Sequence, residues 1–190
     1  MTRKHDRSFA HAETALAEAL ASSEPDAAAA SAAVADVIAR DLSAAGRSGT
    51  ALLTAVSALA AAATHAAGRS EAETAPAARG FMIGVMLFGG REEENRLAVI
   101  THAAGAYLKH ALEAGGDVGS AARALAEGAA SWAGECGLDP GIAASAAGRG
   151  AVEAAEDVNA PLGREVRRAL TDRLVAGVPV ALEEPAAHVG

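Results

Sequence analysis

His102, Tyr107 and His110 are the side chains of this sequence best suited to chemistry, and all three fall on one predicted helix, about 91–114. An imidazole changes charge near neutral pH and can donate, accept or ligate. A phenol can donate or accept a hydrogen bond. His102 and His110 stand eight residues apart, so they share roughly one helical face but lie two turns from each other. At that distance the pair cannot hold one metal ion without ligands from elsewhere. Helices that bind metals set their ligands three or four apart, as in Glu-x-x-His or His-Glu-x-x-His, and neither pattern occurs here. His65 is isolated on an earlier helix. A histidine satisfied within the fold, or exposed on it, is the simpler reading of each. The functional alternative is a pocket beside the predicted helix, lined by His102, Tyr107 and His110, with no metal, cofactor or catalytic residue assigned.

Other groups offer weaker chemistry. Arg91-Glu92-Glu93-Glu94-Asn95-Arg96 is the densest charge cluster. Paired carboxylates could act as acid and base or hold a hard cation, but consecutive helical positions fan outward and do not converge. The cluster reads as a solvated helix start, with Glu92 and Arg96 in i,i+4 register. Gly46-Arg47-Ser48-Gly49-Thr50 is the one loop resembling a phosphate cradle, and it lacks the lysine and the preceding strand of a P-loop. It is similar to the glycine-serine turn of the helical nucleotide domain of dihydroxyacetone kinases. That domain implies a cluster of metal-binding aspartates on a Gly-Asp-rich loop; no such loop exists here, and no nucleotide site is carried over. Cys136 lies between Glu135 and a nearby Asp139, whereas a reactive thiol wants cations or a helix N-terminus. Arg164, Arg167, Arg168 and Arg173 are interleaved with Glu165 and Asp172 and have no aromatic neighbours, unlike a nucleic-acid face.

The elements that must position these groups are helices. Of 190 residues, 55 are alanine and 3% are aromatic. Alanine has the highest helix propensity because it loses no side-chain entropy. The class expected is all-α: an antiparallel helical bundle, or stacked helical hairpins, of about seven or eight short helices. Alanine buries little area, so such a fold must bring its backbones close or borrow surface from a second subunit. The net charge of −8 argues against nucleic acid and anionic membranes as partners. The single Cys136 excludes an intrachain disulfide and fits a reducing, cytoplasmic compartment. Residues 48–68 lack Asp, Glu, Lys and Arg, yet Leu52, Leu53, Val56 and Leu59 sit on one face, which suits a half-buried helix rather than a membrane span.

Residues 81–88 hold two of the three Phe and two of the three Met, with no polar side chain among them. A helix apolar all round must be covered all round, so 80–88 is expected to be innermost. Gly80 and Gly84, one turn apart, open a groove for a second backbone, and Gly128 repeats the device. With Phe88 and Trp132 they form the candidate interface. Intrachain crossing is the favoured use of the groove, and a subunit interface is the alternative. Ser23 and Pro25 are expected to start the second helix, Ser70 and Glu73 form a capping-box pattern, Asp139-Pro140 starts the seventh helix, and Asn159–Gly163 reads as a turn. The single domain covers 1–176, and 177–190 is a loose tail.

An offset of 44 aligns Ala77-Ala78-Arg79 with Ala121-Ala122-Arg123, Gly84 with Gly128 and Phe88 with Trp132. It suggests two-helix repeat units at 77–120 and 121–164. Gly-Ala-Val-Glu-Ala-Ala at 150–155, preceded by Gly-Leu-Asp at 137–139, resembles uncharacterised bacterial proteins built of alanine- and glycine-rich helical repeats. That resemblance spans about 77–175. It implies helical hairpins and no known activity, and no functional residue is transferred from it. The leading functional expectation is a non-enzymatic protein that associates with itself or with another helical protein. The pocket beside helix 91–114 is the second. A coat or membrane-surface protein of amphipathic helices is the third.

Overall fold

The structure, a computed structural model, describes residues 2–23, 26–45, 49–68, 71–88 and 93–182. Its described elements are eight α-helices: α1 (Thr2–Ser22), α2 (Ala27–Ala45), α3 (Gly49–Ala67), α4 (Glu71–Phe88), α5 (Glu93–Ala114), α6 (Val118–Ala133), α7 (Pro140–Glu156) and α8 (Ala160–Thr171). A single 3-10 turn, Gly134–Cys136, follows α6. The fold is an all-α helical bundle.

Helix starts are set by short polar side chains that accept from the first free amides. Asp139 accepts from Ile142 N with Pro140 in the first turn, and Asp117 accepts from Ser120 N. Asp26 caps α2 through Ala28 N and Ala29 N. Ser23, the expected cap, instead donates back to Ala19 O at the end of α1. Asn159 is no mid-turn residue: its side chain accepts from Leu162 N and starts α8 at Ala160. Pro76 lies inside α4 and does not begin it. Its carbonyl accepts a hydrogen bond from the buried Ser31 hydroxyl of α2.

The helices form two layers. One contains α1, α3, α5 and α7 in that order, and the other α2, α4, α6 and α8; α1 against α2 and α7 against α8 close the ends. Each helix therefore packs beside the next but one. These neighbours run parallel, as the α2–α4 crossing shows. A Cβ on Gly80 would meet Ser31 and Val34, and one on Gly84 would meet Ala35 and Ile38, one turn further along both helices. Bonds between alternate helices recur at nearly constant separation: Ser31 to Pro76, Ser57 to His102 and Thr101 to Ala146 each span 45 residues. A helix, a short turn, a helix and another turn take up about that length.

The core runs between the layers. Phe81, Met82, Val85 and Met86 are at most 2% exposed, and α4 packs on α1, α2, α3, α5 and α6. Its cover is not complete, however. Leu87 is 44% exposed, while Ile83 and Phe88 are only partly buried, because the outer side of this layer has no third layer over it. α3 is the one described helix long and apolar enough to span a membrane; here its Leu52, Val56, Leu59 and Ala63 are buried in a layer between α1 and α5. The chain beyond α8 is also less loose than its composition suggests. Val175 and Val180 are buried, and Ala181 N donates to Ser145 Oγ on α7. Residues 183–190 lie outside the described part.

Candidate functional site

Two small residues determine where a cleft forms on α5 and α7. Gly105 on α5 faces Gly150 on α7, and a Cβ on Gly105 would meet the Gly150 carbonyl at 3.2 Å. The two backbones come close there, and Thr101 Oγ1 donates to Ala146 O (3.1 Å) one turn earlier. With Ala106 and Ala154 alongside, the surface over this crossing has almost no side chain to fill it. The result is a cleft of about 390 Å³ across α3, α5 and α7.

Its walls are polar. Ser57 comes from α3; Thr101, His102, Lys109, His110 and Glu113 come from α5; Glu153 and Asp157 come from α7 and its C-terminal cap. The α5 residues recur at three and four positions, so they stand in one stripe. Lys109 Nζ lies 3.6 Å from Asp157 Oδ2, both largely exposed. His110 Nδ1 lies 3.1 Å from Glu113 Oε2. Three carboxylates (Glu113, Glu153 and Asp157) face one lysine within the lining, so the cleft is acidic whenever its histidines are neutral.

His102 is held more firmly than His110. Its Nε2 lies 3.0 Å from Ser57 Oγ and 3.2 Å from Leu53 O. A carbonyl can only accept, so the Leu53 contact requires the proton on Nε2. Serine and histidine within hydrogen-bond reach invite comparison with a nucleophile and its base. Such a dyad needs an Nε2 lone pair to take the serine proton and a group to orient Nδ1. With the proton on Nε2, as the Leu53 carbonyl favours, this nitrogen has no lone pair for the serine proton, and no carboxylate is bonded to the ring among the described residues. The two contacts hold the imidazole against α3. Among the described residues, no three of His, Cys, Asp and Glu lie close enough together to hold a metal ion.

The expected pocket residues thus divide. His102 and His110 line the cleft, and Tyr107 does not. Five residues on from His102 is roughly 140° around the helix, which turns Tyr107 into the core. It is fully buried there, tilted against Phe81 with ring centroids 5.2 Å apart. Desolvation by that burial raises its pKa well above the ordinary phenol value. Ser57, Lys109, Glu113, Glu153 and Asp157 were not singled out from the sequence. The stripe 102, 106, 109, 110 and 113 was available on α5 as a helical period, but its partners on α3 and α7 could not be identified without the fold.

The three glycines among the candidate interface residues meet neighbours within the chain. The Gly80 and Gly84 groove is filled by α2, where a Cβ on Gly84 would stand 2.6 Å from Ile38 Cβ. Gly128 of α6 is filled by α4, where a Cβ would stand 2.7 Å from Arg79 O. The physical reason is the shortage of large side chains: only backbone approach fills the space between these helices. Phe88 and Trp132 are partly buried and pack on the core.

Cys136 is half-buried, with its thiol 3.6 Å from Met86 O and its carbonyl accepting from Arg96. Burial pushes the thiol pKa up, against the pull of Arg96, and Glu135 adds to the rise. Such a cysteine is a poor nucleophile. Gly46–Ser48, Ser70, Gly89–Glu92 and the side chains of Glu93, Glu94 and Asn95 lie outside the described residues, and with them the glycine-serine turn, the capping box and most of the charge cluster. No protein-family model matches the chain, and neither a curated protein nor a solved structure does.

Proposed function

We propose that this chain is a non-catalytic binding protein for a small organic cation, held in the cleft across α3, α5 and α7. The observation that carries the reading is the composition of that cleft: about 390 Å³ with a floor of Gly105, Ala106, Gly150 and Ala154 and a surplus of carboxylates on its walls. A space of this size suits a metabolite rather than a protein segment. The small floor admits an alkyl chain. Lys109 already neutralises Asp157, so Glu113 and Glu153 are the carboxylates that favour the ammonium or amidinium groups of the ligand. The chemistry required is retention and release. The firm seating of His102 on Ser57 and Leu53 supports a positioning role for that ring.

For the reading built on self-association, the Gly80/Gly84 groove is taken up by α2 within the chain, which leaves the partly buried Phe88 and Trp132 as its support. Exposed large apolar side chains are scattered singly at Leu87, Ile142, Val158 and Leu174, on different elements.

The test is isothermal titration with short alkyl diamines and, as the control, alkyl dicarboxylates of equal length. The diamines bind, the dicarboxylates do not, and Glu153→Gln weakens diamine binding about five- to tenfold, as loss of one partly exposed charged contact should. Equal binding of both series, or unchanged affinity in Glu153→Gln, overturns the proposal.

A further inference from the structure

A second cavity lies on the other side of α5, where the C-terminal ends of α3 and α5 meet the start of α4. It is lined by Thr64, Ala67 and Gly68, by Thr74, and by Tyr107, Ala111, Ala114 and Gly116. Its volume is about 10 Å³, space for the centre of one water molecule and nothing larger. Tyr107 lines this cavity, and its hydroxyl is wholly buried yet has no hydrogen-bond partner among the described residues. A buried hydroxyl left without a partner is costly and is rarely found in native folds.

We infer that this cavity is a binding site for a single structural water, which accepts from the Tyr107 hydroxyl and donates to Thr64 Oγ1. Thr64 is suited to that role. Its own hydroxyl proton is committed to the Ala60 and Ala61 carbonyls, which leaves its oxygen as an acceptor. The ligand must therefore both accept and donate, occupy the volume of one heavy atom and carry no charge, because no charged side chain lines the cavity to pair with an ion. Water alone meets these requirements. It joins α3 to α5 at a place where the neighbouring side chains are too small to do so.

The test is a double-mutant cycle in equilibrium unfolding of the full chain. Tyr107→Phe lowers the folding equilibrium constant roughly five- to tenfold, because the water loses its donor. Thr64→Val lowers it as well, and the double variant costs clearly less than the two losses combined, since both act through one water. A Tyr107→Phe variant as stable as the parent or more so, or strictly additive losses, overturns the inference. Should the variants fail to fold, a high-resolution crystal structure of the unaltered chain decides. Water density within hydrogen-bond distance of Tyr107 Oη is the expected result, and an empty cavity is the contrary one.

Discussion

Tyr107 is the only tyrosine in the chain, which makes its ionisation a direct report on the fold. In the unfolded chain its phenol titrates near pH 10; in the folded chain desolvation raises that value. The folded state therefore keeps a proton that the unfolded state releases. Stability from this group is fully present below about pH 10 and is lost as the pH rises beyond it, at about 1.4 kcal/mol per pH unit. The expected outcome is that the near-ultraviolet phenolate absorbance appears together with loss of helical circular dichroism, in one transition. Phenolate forming while the helices remain intact would show that the ring is not sealed in the core. The same residue marks a limit of sequence reading. The types His, Tyr and His were legible as candidate chemistry, but their directions depend on 3.6-residue geometry and on which face meets the core. His102 and His110, eight apart, fell on the cleft side; Tyr107, between them, did not. The bond from His102 to Ser57 joins residues 45 apart, and nothing local in either segment announces it.

At the scale of elements, close crossings replace side-chain interdigitation, and glycines make the tightest of them possible. Gly84 has no room for a methyl group: Ile38 Cβ and Ala35 O would stand at 2.6 and 2.7 Å. Gly84→Ala should force α2 and α4 apart and cost about 2–3 kcal/mol. Gly134 is the control. It has right-handed helical angles (φ −58°, ψ −40°), and no neighbouring atom lies within 4 Å of where an added methyl group would stand. Gly134→Ala should therefore stabilise by about 0.5–1 kcal/mol through the unfolded chain. Urea unfolding of both variants checks the contrast, and similar effects of like sign would refute the packing argument. This scale was the most legible in advance. Helix class followed from alanine content, and the Asp139-Pro140 start is local chemistry. Errors arose where two local signals competed. Ser23 and Asp26 could both cap α2, and Asp26 did. Asn159 could sit in a turn or begin a helix, and it began one.

For the molecule as a whole, the arrangement in two layers predicts how stability is distributed. A helix in the middle of a layer has neighbours on both sides and a second layer beneath it, whereas one at an edge lacks a neighbour. α4 packs on helices of both layers; α8 packs chiefly on α6 and α7. The segment 77–86 also contains the largest buried side chains in α4: Phe81, Met82 and Met86. The sequence marked 80–88 as central because it concentrates large apolar side chains, and Phe81, Met82, Val85 and Met86 are buried on its inner side. It did not anticipate that Leu87 would emerge into solvent, since an unbroken apolar run does not reveal which of its faces lacks a cover. Nor was it legible in advance that alternate helices meet as parallel neighbours, through bonds that span 45 residues. Amide hydrogen exchange tests the resulting gradient. The amides of 77–86 should exchange only through global unfolding, with protection close to the full stability of the fold, while those of α8 open locally and faster. The exposure of Leu87 does not weaken this expectation, because helical amides bond along the axis and are protected by their helix, not by the side chain above them. Exchange in 77–86 as fast as in α8 would mean that the two layers are not cemented through α4, and that the close glycine crossings do not hold the bundle together.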